Sequence, residues 1–123
     1  MPLPTVLVVE DDPVILRLLE VNFELEGFEV LLAHDGAEGV DLAKAHRPDL
    51  VISDIMMPKL SGIELVRALK AEPATAAIPI VLLSAKAQTS DLKAGMDAGA
   101  DDYITKPFEP LDLVERVNVL LSR

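Results

Sequence analysis

The 123-residue chain has no cysteine and no tryptophan, and aromatic residues make up only 3% of it. Without cysteine there can be no disulfide, zinc knuckle, iron–sulfur cluster or thiol nucleophile. The lack also suits a reducing compartment, here expected to be the cytoplasm. Positive charge is scarce: 11 Lys and Arg stand against 21 Asp and Glu, a formal net charge of −10. Phosphates would be repelled, so no nucleic acid is expected to bind this domain. No apolar run approaches the ~20 residues a membrane helix needs, so no membrane contact is expected. The opening Met-Pro-Leu-Pro lacks the basic and apolar regions of a signal peptide. Gly/Ser linkers, low-complexity tracts and internal self-similarity are missing too, which argues for one domain over residues 1–123 rather than a solenoid. What is present is apolar: half the chain is hydrophobic, enough for a real core and against disorder.

Short β-branched runs recur at 5–9, 28–32, 50–53, 78–83 and 103–105, separated by stretches with helical spacing. Strands alternating with helices imply βαβ units and a parallel sheet. Five units in this length fit an α/β, three-layer, doubly wound (βα)5 domain, whose flavodoxin-like form would have a five-stranded parallel sheet of order 2-1-3-4-5. Punctuation marks the helices. Asp12-Pro13 reads as an N-cap followed by proline at the first helical position, and Gly27 as the stop. Asp35-Gly36 opens a second helix that ends near His46. Ser61 with Glu64 forms a capping box for the third, closed by Glu72-Pro73. A fourth runs from 89–91 to about Gly99, anchored by Leu92 and Met96 and interrupted by Gly95, and should be weakly held. Pro110 opens a fifth with an apolar stripe of Leu113, Val114, Val117, Leu120 and Leu121. The first helix is apolar on nearly every side, which means either a wide core face or a face for a partner.

The residues at the end of each apolar run are more informative. Glu10, Asp11 and Asp12 come after the first, Asp54 after the third, Ser84 after the fourth and Lys106 after the fifth. In an open parallel sheet, ligands bind outside the carboxyl ends of the strands, where the strand order reverses. If the order is 2-1-3-4-5, Glu10, Asp11 and Asp54 would converge there, with Ser84 and Lys106 on the far side. Clustered carboxylates repel one another, which raises a pKa or recruits a cation. All-oxygen ligation suits Mg2+. A carboxylate left free can act as a nucleophile and form an acyl phosphate, and Asp54 stands alone on the central strand. Asp12 reads as a cap. Tyr103 reads as a packed ring with its hydroxyl at the surface. His34 and His46 have no metal-ligand spacing.

Taken together, these residues resemble the receiver (phosphoacceptor) domain of bacterial two-component response regulators. The resemblance covers Val6 to about Leu121. It rests on Val8-Val9-Glu10-Asp11-Asp12-Pro13, Asp49 through Asp54 to Pro58, Gly62, Pro79 through Ser84-Ala85, Gly99-Ala100-Asp101-Asp102-Tyr103 and Lys106-Pro107-Phe108, in order and at the family spacing. It implies that Asp54 takes a phosphoryl group from a histidine kinase or histidine phosphotransfer protein. It implies that Glu10, Asp11, Asp54 and the backbone carbonyl of Met56 place Mg2+, for which Mn2+ or Ca2+ can substitute. Ser84 and Lys106 would contact phosphoryl oxygens, and Tyr103 would turn inward as Ser84 moves, into space that Ala85 keeps open. The Lys106-Pro107 peptide should be cis. The chain would be a phosphoprotein and regulatory domain, not an enzyme, apart from promoting its own phosphorylation and dephosphorylation. The face of the fourth helix, fifth strand and fifth helix would change and could form a homodimer; the first helix would meet the donor.

Two departures stand out: Glu10 replaces the commoner Asp, and Met56 and Lys86 occupy variable positions that tune phosphoryl lifetime. A rival phosphatase of the aspartyl-phosphate type would need a second Asp where Met56 stands. A flavin-binding fold would need Ser, Thr and Gly where Glu10, Asp11 and Asp12 stand. A degenerate receiver, acting as a phosphorylation-independent interaction module, would usually have lost the acceptor, the acidic pair or the lysine, and this chain keeps all of them.

Overall fold

Alternation along the strands decides the architecture. The computed structural model describes residues 3–57, 59–85 and 89–122. In chain order the elements are β1 (Thr5–Val9), α1 (Pro13–Leu25), β2 (Glu29–Ala33), α2 (Gly36–His46) and β3 (Leu50–Asp54). They continue with α3 (Gly62–Ala71), β4 (Ile80–Ala85), α4 (Thr89–Ala98), β5 (Asp102–Lys106) and α5 (Pro110–Leu121). The strands pair in parallel in the order β2-β1-β3-β4-β5. Successive side chains point to opposite faces, so Val6, Val8, Leu50, Ile52, Val81 and Leu83 meet α1 and α5. Leu7, Val9, Val51, Ile80 and Leu82 pack on the other face with α2 and α3, and with Leu92 and Ala98 of α4 at its edge. Both faces are covered, which is why these strands read as continuous apolar runs. Each fully buried Leu or Ile contributes roughly 1.5–3 kcal/mol.

The helix ends follow their capping residues. Asp12 accepts the Val14 N–H at 2.9 Å with Pro13 at the first position, Asp35 accepts the Glu38 N–H at 2.8 Å, and Ser61 and Glu64 form the reciprocal box. Gly27 has φ 90°. Around it the Phe28 N–H donates to the Phe23 carbonyl and the Gly27 N–H to the Glu24 carbonyl, so α1 ends in a Schellman motif. Phe28 therefore belongs to the helix stop and not to β2, which starts one residue later than its apolar run. Its ring stands edge-on to Phe23, with centroids 5.2 Å apart.

β4 is displaced in the same direction. Pro79 has no N–H to give, and the Ile78 N–H turns back to the Thr75 carbonyl, so the strand begins at Ile80 and carries Ser84 and Ala85 into the ladder. Met96, expected to anchor α4, is 38% exposed. The inward position is Gly95, where a Cβ would collide with Leu82 Cδ1, and Leu92 and Ala98 flank it. The glycine read as an interruption is what lets α4 approach β4. On α1, Leu16, Leu19 and Phe23 are buried, while Val14 and Leu25 are 75% and 79% exposed. The helix has a core face and also leaves apolar surface uncovered. Among the described residues, no helix is long and apolar enough to cross a membrane. Pro58, Lys86 and the side chain of Ala85 lie outside what is described.

Candidate functional site

The chain runs from β1 outward to β2, then crosses back to β3, so the crevice at the carboxyl ends opens between β1 and β3. Glu10 is the first residue after β1. Its N–H donates to the Ala33 carbonyl at 3.0 Å, extending the β1–β2 ladder, and its side chain is fully buried. Asp54 is the last residue of β3 and is buried as well, while Asp11 is exposed. One carboxylate oxygen from each of Glu10, Asp11 and Asp54 lies within 4.8 Å of the other two. The sequence-based convergence of these three residues is thus present in the folded chain.

Lys106, at the end of β5, reaches back across the crevice. Its Nζ donates to Asp54 Oδ2 at 2.7 Å and to Glu10 Oε1 at 2.9 Å. It crosses over the end of β4 to do so, since β4 separates β3 from β5. Burial opposes its charge, but the hydrogen bonds and charges of Asp54 and Glu10 outweigh that, and its pKa is raised. Burial also pushes Glu10 up to about 7, helped by Asp54 and only partly offset by Lys106. Three carboxylates against one ammonium leave two negative charges uncompensated when all are ionised. The donor set is all oxygen, with one open side at exposed Asp11, and these features fit a small divalent cation.

Ser84 ends the same crevice one strand beyond Asp54, with Asp54 opposite Leu83 in the ladder. Its Oγ is buried and has no hydrogen-bond partner among the described residues. A buried hydroxyl without a partner costs about 1–3 kcal/mol, so the atom is poised to donate to a new acceptor. The Met56 N–H is 3.4 Å from Asp54 Oδ1, and the Met56 side chain is 60% exposed at the mouth. Tyr103 does not pack inward: it is 40% exposed on β5, and Arg116 donates to its carbonyl and to Asp102. His34 sits on the surface against Glu38, and His46 is exposed at the end of α2. The Lys106-Pro107 peptide is cis.

The geometry brings together Glu10, Asp11, Asp54 and Lys106, places Ser84 beside them and leaves Tyr103 outside. Local reading missed the grip of Lys106 on Glu10, which spans 96 positions and has no local signal. It also missed an ion pair between Asp35 and Lys59, at 3.4 Å, joining the start of α2 to the segment after Asp54.

Comparison with known proteins agrees with this arrangement. A family model described as the response regulator receiver domain matches residues 6–118. The transcriptional regulatory protein PrrA of Mycobacterium tuberculosis is 48% identical over 120 residues, which are 98% of this chain and 51% of PrrA. The DNA-binding dual master transcriptional regulator RpaA of Synechocystis is 41% identical over 121 residues, 98% of this chain and 50% of RpaA. The chain thus spans about half the length of these curated relatives. Among solved structures, the receiver domain of a sensor histidine kinase from Pseudomonas aeruginosa superposes with a TM-score of 0.91. It is 30% identical, with 98% of each chain covered, and has a magnesium ion coordinated in its active-site cleft. A flavodoxin-like 2-1-3-4-5 sheet and matches over nearly its whole length place this chain in the family of response regulator receiver domains of two-component signalling.

Proposed function

We propose that residues 1–123 act as one cytoplasmic receiver domain whose Asp54 accepts a phosphoryl group from the phosphohistidine of a histidine kinase or histidine phosphotransfer protein. The observation that carries this reading is the Asp54 carboxylate at the end of β3, set against Lys106 at 2.7 Å within a cluster of carboxylates. An Asp54 carboxylate oxygen attacks phosphorus and the donor's P–N bond breaks. Its electron pair returns to the imidazole nitrogen, which is then protonated from solvent. Glu10, Asp11, Asp54 and the Met56 carbonyl would hold Mg2+, with Mn2+ or Ca2+ as substitutes. Bound there, Mg2+ supplies the positive charge that offsets carboxylate repulsion and polarises a phosphoryl oxygen.

The remaining residues respond to new acceptor oxygens at the strand ends. Lys106 exchanges part of its pairing with Asp54 and Glu10 for a phosphoryl oxygen. Ser84 Oγ, without a partner among the described residues, donates to another. Movement of Ser84 opens room for Tyr103 to turn inward, which shifts the population of the α4-β5-α5 face and favours a homodimer through it. The exposed apolar residues of α1 meet the phosphodonor protein. The domain itself contacts no nucleic acid, in keeping with its charge of −10.

Intact-mass spectrometry after incubation with Mg2+ and a small-molecule phosphodonor tests the proposal. One phosphoryl adduct on the wild type and none on Asp54→Ala is the expected result. No adduct on the wild type would overturn it in favour of a phosphorylation-independent interaction module.

A further inference from the structure

The segment that leaves β3 beside Asp54 is held at both ends. At its base the Gly62 N–H donates to the Ile55 carbonyl at 2.9 Å, and Gly62 lies so close to the Asp54 carbonyl that a Cβ has no room. At its outer end Lys59 takes a left-handed conformation, φ 68°, and its Nζ reaches Asp35 Oδ2 at 3.4 Å. Beside it the Leu60 carbonyl abuts Gly36, where again no Cβ fits. The start of α2 is therefore pressed against this segment by a steric contact and an ion pair together.

Asp35 uses its two oxygens separately. Oδ1 accepts the Glu38 N–H and caps α2, while Oδ2 faces Lys59. The Glu38 N–H lowers the Asp35 pKa, burial opposes this, and Lys59 adds to the lowering, so the carboxylate is charged at neutral pH. The strand that delivers Asp35 also delivers Ala33, whose carbonyl holds the Glu10 N–H. Residues 33–36 thus touch the backbone of Glu10 on one side and the outer end of the Met56 segment on the other.

We infer that Asp35 is a positioning residue for the cation site: through Lys59 it holds residues 59–62, and through the Gly62 N–H to Ile55 carbonyl bond the neighbouring Met56 carbonyl, in a fixed relation to Asp54. The inference rests on the proposed cation-binding role of Glu10, Asp11, Asp54 and Met56. Its distinguishing feature is the sign of two effects. If Asp35 and Lys59 acted only through their fields, removing the acid would weaken cation binding and removing the lysine would strengthen it. If they act by holding the segment, removing either weakens it.

The experiment is calorimetric titration of the whole chain with MgCl2, for wild type, Asp35→Ser, Lys59→Met and the double variant. The Met56 amide resonance is followed in parallel. Serine retains the N-cap, so α2 is spared. Both single variants should bind Mg2+ about three-fold more weakly, in the range an exposed ion pair can supply. The double variant should be no weaker than either single one, because both break the same contact. The Met56 amide should shift in all three variants even without Mg2+. Opposite changes in the two single variants, or equal affinity in all four proteins, would overturn the positioning role. A wild type that binds no Mg2+ would overturn the cation-site reading, and this inference with it.

Discussion

Lys106 Nζ lies 2.7 Å from Asp54 Oδ2, a residue 52 positions earlier in the chain, and the same ammonium holds Glu10 at 2.9 Å. One cation from an edge strand thus spans two carboxylates at the ends of β1 and β3. Lys106→Met would leave both acids facing each other. Removing one partner of a buried pair costs about 3–5 kcal/mol. Lys106 is 24% exposed, and water and proton uptake by Glu10 relieve part of the repulsion, so a loss nearer ~2 kcal/mol is expected at pH 8. The loss should shrink at pH 5, where Glu10 is protonated; urea melts at the two pH values check this.

Glu10 itself makes stability depend on pH. Its folded pKa is raised from 4.5 to about 7, so between those values the native state binds more protons than the unfolded one. The contribution is fully present below 4.5 and is lost as pH rises through 7, on the order of 2–3 kcal/mol. In EDTA the wild type should therefore lose stability across this window, and Glu10→Gln should flatten the profile. Millimolar Mg2+ should also flatten it, because cation binding favours the deprotonated carboxylate. A wild-type profile as flat as that of the variant would contradict the assignment.

Ser84→Ala removes a buried hydroxyl that makes no hydrogen bond among the described residues. The unphosphorylated protein should be as stable as wild type, or more stable by up to about 1 kcal/mol. Phosphodonor-dependent chemical-shift changes at Tyr103 should nevertheless fall sharply. Denaturation and NMR on the same sample separate the two effects.

Gly95→Ala sets two effects against each other. Alanine gains about 1 kcal/mol of helix propensity. The new Cβ collides with Leu82 Cδ1, and overpacking costs typically about 1–3 kcal/mol. A net loss of about 1 kcal/mol is expected, with faster amide exchange confined to α4. A stabilised variant would mean that α4 does not rest on Leu82.

Val14→Asp alters an exposed position of α1 without touching the core. Stability should stay within about 0.5 kcal/mol. Transfer from a kinase or phosphotransfer protein should slow at least ten-fold, while labelling by a small-molecule phosphodonor stays unchanged. Equal slowing of both reactions would place the defect in the chemistry and not in docking.

Much of the fold was legible residue by residue. Asp12, Asp35 and Ser61 cap the helices they were expected to cap, because a cap is made with a backbone N–H two or three residues away. The ends of β2 and β4 were less legible. Phe28 and Ile78 are as apolar as strand residues, but their N–H groups are committed to turns closed by Phe23 and Thr75. Met96 illustrates a different limit. Apolar spacing marked it as inward, yet α4 approaches the sheet through Gly95, a residue with no hydropathy signal at all.

By itself the sequence determined the alternation of strands and helices, the caps and the identity of the acids at the strand ends. These depend on neighbours within a turn or two, and on a motif set that the receiver-domain family combines. Only the tertiary structure decided that Lys106 grips Glu10 as well as Asp54, that Tyr103 faces outward, and that Asp35 reaches Lys59. Those relationships join residues 24 to 96 positions apart. Their geometry comes from how the sheet crosses over itself, which no local pattern of side chains encodes.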